Sequence, residues 1–370
     1  MRFFRCLLGF LLGLIATAAI LYRGVRPDNS SFDEMVAAAS QCEVLFVGPS
    51  YIDVGLDTEQ FDAETQALGH PIHACKFAQS ALRAYELEHD LKQLMEQRWP
   101  KLKTVAVDVT LGGGVGFERD NWFTPRMVRW HTWSGLTWLY RYYRANALEE
   151  GRGRKKGFRE VATLFVGHLQ HVAMNYLGIG RAGVALTGAR WVEQSTGSDV
   201  PIVVVKEVDR LPTRRKMVKL SEEQAAAAAR LLSQEKTRAR ARGFYEDDTW
   251  PRELEPIIRA RGFAPVFLYS PVYRNHMPPR STRPGKKPLV FLDFDDPDRY
   301  PELYVYSSRD RTSHLSDEGA VFYSRLLAKA FVTLATEPEP QGEPDSRDRR
   351  DRRDERGKRR RGERDRPDAR

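Results

Sequence analysis

Two segments near opposite ends of the chain carry residue types that could act together as nucleophile and base. Ser50 follows the apolar run 43–48, and His314 lies just before a helical pattern near the C-terminus, with Asp310 four residues earlier. A serine hydroxyl becomes a nucleophile when a histidine takes its proton, and a nearby carboxylate can orient the imidazole. Either segment alone also suits an ordinary turn or helix start. The prediction therefore depends on a fold that brings the two segments together.

The apolar runs predict strands of one parallel sheet. Their apolar residues are continuous rather than alternating, which is typical of strands buried on both faces; the runs are 43–48, 71–77, 104–109, 265–270 and 289–294. Helical patterns between them predict a three-layer α/β/α fold, flavodoxin-like, interrupted by a helical insertion at about 115–250. Ligands in such sheets bind at the carboxyl ends of the strands, where Ser50 is expected.

Taken together, the two segments resemble the SGNH (GDSL-like) hydrolase superfamily. The nucleophile block of that family follows the first strand, as Phe46-Val-Gly-Pro-Ser50 does here, and its closing block is similar to His314-Leu-Ser-x-x-Gly319-Ala320. The run Phe77-Ala-Gln-Ser-Ala81 occupies the place of the second family block. The resemblance covers about residues 43–110 and 255–335. In style it is closest to membrane-tethered members that take part in the acylation of surface polymers.

The resemblance implies a serine-dependent acyl-ester hydrolase or O-acyltransferase that acts on a cell-surface polysaccharide or similar polymer. Ser50 would attack the acyl carbonyl, His314 would act as base and Asp310 would orient the imidazole. The backbone N–H groups of Ser50 and Ala81 would hold the oxyanion. The chemistry implied needs neither a metal nor an organic cofactor. Expected partners are an acylated glycan and a membrane-bound acyltransferase.

The sequence departs from the family pattern at four points, and two of them, the missing asparagine and the altered aspartate spacing, leave open an alternative: a catalytically silent SGNH-like binding or assembly module at the cell surface. Pro49 replaces the usual aspartate, and Ala81 replaces a glycine. A Gly-x-Asn block is missing after the third strand, where amides near Gly112–Gly114 could substitute. Asp310 lies four residues before His314 rather than three. The sequence leaves enzyme and silent module both open.

The N-terminus predicts a membrane anchor over residues 1–26. An apolar run of 17 residues from Cys6 to Tyr22 is flanked by arginines on both sides. A cleaved signal peptide and a buried helix are the alternatives. The anchor implies a single-pass protein of the cell membrane, with the domain at 27–336 on the extracytoplasmic side.

Charge and cysteine content exclude some classes of partner. The net charge of +9 looks basic, but residues 337–370 hold 13 basic and 11 acidic residues and contribute only +2. This tail has no aromatic residues, so it is predicted to be disordered and solvated, and a nucleic-acid partner is not expected.

Of the three cysteines, Cys42 and Cys75 are expected on neighbouring strands, either as a disulfide or as buried thiols.

Three further patterns mimic binding sites. Residues 178–183 match G-x-G-x-x-G but follow an apolar helix rather than a strand, which argues against dinucleotide binding. His168 and His171 are spaced for a metal, yet no nearby cysteine or carboxylate completes a ligand set, so packing is favoured. The aromatic cluster 122–143 suits either the core of the insertion or contact with a sugar or lipid.

Overall fold

The structure is a computed structural model, and the part of the chain that it describes falls into segments. These are residues 2–24, 32, 36–37, 40–78, 82, 84–110, 131–137, 140, 154–178, 191–194, 202–205, 222–241, 248–272, 288–309 and 314–336. The chain divides into two compact units, Met1–Lys329 and Ala330–Arg370. Both segments of the candidate site belong to the first unit.

Eight helices and seven strands are named here within the described residues. The helices are α1 Arg2–Gly24, α2 Ser50–Gly55, α3 Thr58–Ala67, α4 Ala84–Glu96, α5 Arg154–Tyr176, α6 Glu222–Ala241, α7 Thr249–Arg259 and α8 Asp317–Thr336. The strands are β1 Val44–Gly48, β2 Ala74–Ala78, β3 Thr104–Asp108, β4 Trp191–Gln194, β5 Ile202–Val205, β6 Ala264–Tyr269 and β7 Phe291–Asp293. Two 3-10 turns, Pro301–Tyr304 and Tyr306–Ser308, precede α8.

Five of the strands form one parallel sheet in the order β2-β1-β3-β6-β7. The predicted α/β fold is therefore confirmed. In this order the chain moves outward from β1 to β2 and then returns to β3 on the other side of β1. Such a reversal creates a crevice at the carboxyl ends of the two central strands. Ser50 follows β1 directly, so it lies at this crevice.

Helices pack on both faces of the sheet because successive side chains of β1 point to opposite sides. Phe46 meets Phe61 of α3, with ring centroids 5.2 Å apart. Leu45 and Val47 belong to a buried apolar cluster with Leu91 of α4 and other residues of α4, α7, β3 and β6. Every residue of β1 is buried, which explains the continuous apolar run in the sequence.

The segment predicted as a helical insertion contains strands as well as helices. Helices α5 and α6 lie within it, as expected, but β4 and β5 form a separate two-stranded antiparallel sheet. The short run of β5, Ile-Val-Val-Val, is rich in β-branched residues, which explains its pairing as a strand. The predicted tail at 337–370 lies outside the described residues.

The N-terminal helix corrects the predicted location of the protein. Helix α1 covers Arg2–Gly24, and no helix in the described part of the chain is both long and apolar enough to cross a membrane. The apolar run from Cys6 to Tyr22 has 17 residues with arginines at its borders. The prediction of a single-pass membrane protein is therefore wrong.

Candidate functional site

The structure brings Ser50 and His314 into hydrogen-bond contact across 264 residues of sequence. His314 Nε2 lies 2.8 Å from Ser50 Oγ. Both residues are partly buried, and the His314 ring packs against the Tyr51 ring with centroids 5.2 Å apart. This distance is the one that proton transfer from a hydroxyl to an imidazole requires. Their roles as nucleophile and base remain predictions.

Ser50 is held by the tight turn between β1 and α2. A Cβ atom at Gly48 would lie 2.5 Å from Ile52 Cγ1 and 2.8 Å from Asp108 Cβ, so only glycine lets β1 approach α2 and β3 this closely. Pro49 caps the helix, and its carbonyl accepts hydrogen bonds from the backbone N–H groups of Ile52 and Asp53. Ser50 is the first residue of α2, so its own N–H is one of the amides that a helix N-terminus leaves for other partners.

The opposite end of α2 is fixed by the buried ammonium of Lys76. Lys76 Nζ donates to the carbonyl oxygens of Asp53, at 2.8 Å, and Leu56, at 2.7 Å. Burial lowers the pKa of Lys76, while the carboxylates of Asp53 and Asp57 oppose that shift. Helix carbonyls near a C-terminus attract a cation, so this contact helps to set the position of α2 and Ser50.

His314 lies next to two backbone contacts that join residues 308–309 to residues 315–316, which we call the neck. Arg309 and Leu315 form an isolated antiparallel bridge, and the Ser316 N–H donates to the Ser308 carbonyl at 3.0 Å. A Cβ atom at Gly319 would lie 2.2 Å from that same carbonyl oxygen. The close approach of α8 to the neck therefore depends on glycine.

Two predicted site residues cannot be placed against this geometry. Asp310, the predicted orienting acid, and Ala81, a predicted oxyanion donor, lie outside the described residues. Gly112–Gly114, the possible substitute donors, lie outside them as well. The contact between Ser50 and His314 is thus the part of the predicted site that the structure describes.

A buried polar network at the carboxyl ends of β3 and β6 was not predicted from the sequence. Asp108 accepts hydrogen bonds from the Ser270 hydroxyl and, at 2.8 Å, from the Thr110 N–H. The Ser270 N–H donates to Thr110 Oγ1 at 2.6 Å, and the Tyr323 hydroxyl lies 3.4 Å from Ser270 Oγ. Burial raises the pKa of Asp108 to about 6, although its hydrogen bonds oppose the shift. The network ties β3 and β6 to α8 beside Gly48.

The Asp108→Asn variant is expected to remove one pH-dependent loss of stability. The folded carboxyl binds its proton more tightly than the unfolded one, whose pKa is near the ordinary 3.8. The wild-type free energy of unfolding should therefore fall, relative to the variant, by up to about 3 kcal/mol as the pH rises from about 4 to 6. Urea unfolding of both proteins at several pH values measures the difference. If the free energies of unfolding of the two proteins changed with pH in parallel, Asp108 would have an ordinary pKa and the prediction would be wrong.

One group of potential metal ligands lies away from the Ser50–His314 pair. In the described residues, one ligand atom each from Cys42, His73 and Cys75 lies within 4.8 Å of the others. Cys42 and Cys75 are joined by a disulfide, so neither offers a thiolate. His73 Nδ1 lies 2.7 Å from a carboxylate oxygen of Asp62. Of the two alternatives for these cysteines, the structure has the disulfide.

His168 and His171 of α5 pack against a third histidine, His131. His168 and His171 are buried, and both rings contact the buried ring of His131. His168 Nδ1 lies 2.9 Å from His131 Nδ1, and burial lowers the pKa of His168 to about 4. Gly178, the first glycine of the G-x-G-x-x-G match, comes two residues after the end of α5. The match therefore follows a helix rather than a strand.

Comparisons with protein-family models, with curated proteins and with solved structures gave no match to this chain.

Proposed function

We propose that this chain is a serine-dependent acyl-ester hydrolase or O-acyltransferase. The observation that carries the proposal is the 2.8 Å contact between Ser50 Oγ and His314 Nε2 at the carboxyl edge of a parallel sheet. The resemblance to SGNH hydrolases gives the same two residues the same two roles.

The chemistry follows from this pair. The Ser50 hydroxyl donates to Nε2 of neutral His314, which takes the proton as Oγ bonds to the acyl carbonyl carbon. The imidazolium then returns the proton to the leaving alkoxide, and an acyl-serine remains. Water or a second hydroxyl, deprotonated by the same imidazole, then attacks the acyl carbon. The bond to Ser50 Oγ breaks, and the imidazolium returns its proton to that oxygen. The Ser50 N–H at the start of α2 is placed to donate to the carbonyl oxygen as negative charge develops there.

The substrate class that fits the proposal is an O-acyl ester of a polysaccharide or similar polymer. Its basis is the resemblance to polymer-acylating members of the superfamily. Hydrolysis and transfer share the acyl-serine and differ only in the acceptor that reaches it. The rival function, a silent binding module of the same fold, lacks the covalent step.

A fluorophosphonate probe distinguishes the enzyme from the silent module. The full-length wild-type protein is incubated with the probe and digested, and the modified peptide is identified by mass spectrometry. We expect one label, on Ser50, and no label when the protein is boiled before the probe is added. Release of p-nitrophenol from p-nitrophenyl acetate then measures turnover, and the yields of free acetate and of acetylated sugar alcohol, with a sugar alcohol present as acceptor, separate hydrolysis from transfer. A folded protein that neither labels nor turns over the ester would favour the silent module.

A further inference from the structure

A buried ion pair joins the insertion to the segment that leads to His314. Lys236 of α6 places Nζ 2.9 Å from Asp295 Oδ2, and the two side chains are 2% and 0% exposed. One helical turn earlier, Ser233 Oγ donates to both carboxylate oxygens of Asp298 at 2.7 Å. Residues three apart lie on one face of a helix. This face of α6 is therefore fixed on residues 295–298 by directed polar contacts.

Asp295 connects α6 to two further parts of the fold. Its Oδ1 accepts a hydrogen bond from the Tyr304 hydroxyl at 2.8 Å and one from the Val272 N–H at 3.3 Å. Val272 follows β6, and Tyr304 ends the first 3-10 turn. Removal of one partner from a buried pair of this kind is strongly destabilising, because the remaining charge stays buried without compensation.

Tyr304 is in turn covered by the guanidinium of Arg309. Arg309 Cζ lies 4.7 Å from the centre of the Tyr304 ring, and the arginine side chain is buried. Its Nε donates to the Leu303 carbonyl at 2.6 Å and its Nη1 to the Pro271 carbonyl at 2.9 Å. The planar fork of arginine makes these contacts together, which a lysine ammonium cannot reproduce.

Arg309 is also one side of the neck that holds His314. Its backbone pairs with Leu315, the residue directly after the histidine. The contacts thus run without a break from Lys236 through Asp295, Tyr304 and Arg309 to Leu315.

We propose that helix α6 positions the base His314 through this buried chain, so that Lys236 and Arg309 are positioning residues for the reaction at Ser50. The inference rests on the proposed function for its catalytic meaning, and it gives the insertion a role in that function. A displacement of about 1 Å at a reacting group can reduce a rate by about 100-fold. Small shifts of the neck should therefore change reactivity at Ser50 in a protein that is still folded.

The test uses four variants of the full-length protein. Lys236→Met alone leaves the Asp295 charge buried and can prevent folding, so Lys236→Met/Asp295→Asn is the main variant because it leaves a neutral pair. Tyr304→Phe removes only the hydroxyl that reaches Asp295, and Arg309→Lys keeps the charge but loses the fork. Lys92→Met, which removes a half-exposed lysine from its pair with Glu88 in α4, far from the contacts of α6, is the control.

Two readouts are taken well below each melting temperature: the second-order rate of fluorophosphonate labelling, and hydrogen exchange of the backbone amides in 314–320. We expect the double variant and Arg309→Lys to label at least about tenfold more slowly. Tyr304→Phe should have a smaller effect in the same direction. Exchange in 314–320 should become faster while exchange in 44–48 is unchanged. Lys92→Met should match wild type in both readouts.

The outcomes separate this inference from the proposed function. If wild type labels, and the folded double variant labels at the wild-type rate with unchanged exchange in 314–320, α6 does not position His314 and the inference is wrong. Faster exchange throughout the sheet would show a general loss of stability and would also overturn it. If wild type never labels, the proposed function fails. Hydrogen exchange in 314–320 then still decides whether α6 holds His314 and the start of α8 in place. If the double variant does not fold, Tyr304→Phe and Arg309→Lys decide by the same criteria.

Discussion

Replacing Ser50 with alanine is expected to abolish covalent labelling by a fluorophosphonate, and His314→Ala is expected to slow it by on the order of 10⁴-fold or more. The first variant lacks the oxygen that forms the bond. The second leaves Ser50 Oγ without the nitrogen that lies 2.8 Å away and takes its proton. Because nucleophile and base act as one unit, the double variant should be little worse than either single variant in turnover of an acyl ester. Labelling kinetics and ester hydrolysis measure both effects.

Matched variants control for general damage. Ser40 is a serine outside the pair, hydrogen-bonded locally to the Ala37 carbonyl, and His70 is an exposed histidine. Ser40→Ala and His70→Ala should label at the wild-type rate. Thermal unfolding should show that Ser50→Ala and His314→Ala keep the wild-type fold. Equal labelling of Ser50→Ala and wild type would place the reactive residue elsewhere and would contradict the proposed role of Ser50.

The sheet and the meeting of Ser50 with His314 could be expected from the sequence because their signals are local. The third strand is predicted at 104–109 and found at Thr104–Asp108. A continuous apolar run bounded by turn residues predicts a buried strand without any information about the rest of the sequence. Parallel strands then place the residues after them at one edge. Strand ends shift by a few residues, as in β7, where pairing with β6 begins only at Phe291.

The buried polar residues could not be predicted because their sequence context looks solvated. Asp295 lies in the run Asp293-Phe-Asp-Asp296, which is typical of an acidic loop, and Lys236 lies among the arginines and glutamates of α6. Only the packing of α6 against 295–298 shows that this pair is buried. Whether a charged side chain is buried depends on which distant element packs over it, and the local hydrophobic pattern does not indicate that element.

The prediction of a membrane anchor is wrong. It depends on an apolar run of 17 residues, which is at the short end of the range for a span, whereas no helix in the described part of the chain is both long and apolar enough to cross a membrane. Composition indicates that a helix is apolar, while a membrane span also requires enough length to cross the hydrocarbon core.

The Gly319→Ala variant is expected to lose most of its reactivity at Ser50 because the new methyl group cannot fit. Its Cβ would lie 2.2 Å from the Ser308 carbonyl oxygen and 3.1 Å from a Leu315 methyl carbon. The oxygen belongs to the backbone of the neck and accepts the hydrogen bond from the Ser316 N–H. The first turn of α8 must therefore move away from the neck, and His314 moves with it. We expect labelling to slow by about 100-fold and the free energy of unfolding to fall by about 1–3 kcal/mol.

Gly167→Ala is the matched control because a Cβ at that position meets no atom within 4 Å. Gly167 lies inside α5, where alanine favours the helix by up to about 1 kcal/mol. This variant should be at least as stable as wild type and should label at the same rate. A Gly319→Ala protein that labels like wild type would show that the neck can widen without moving His314. His314 would then be held by contacts other than the approach of α8 to Ser308. A loss of labelling in Gly319→Ala, with Gly167→Ala unchanged, would instead show that reactivity at Ser50 depends on the position of His314.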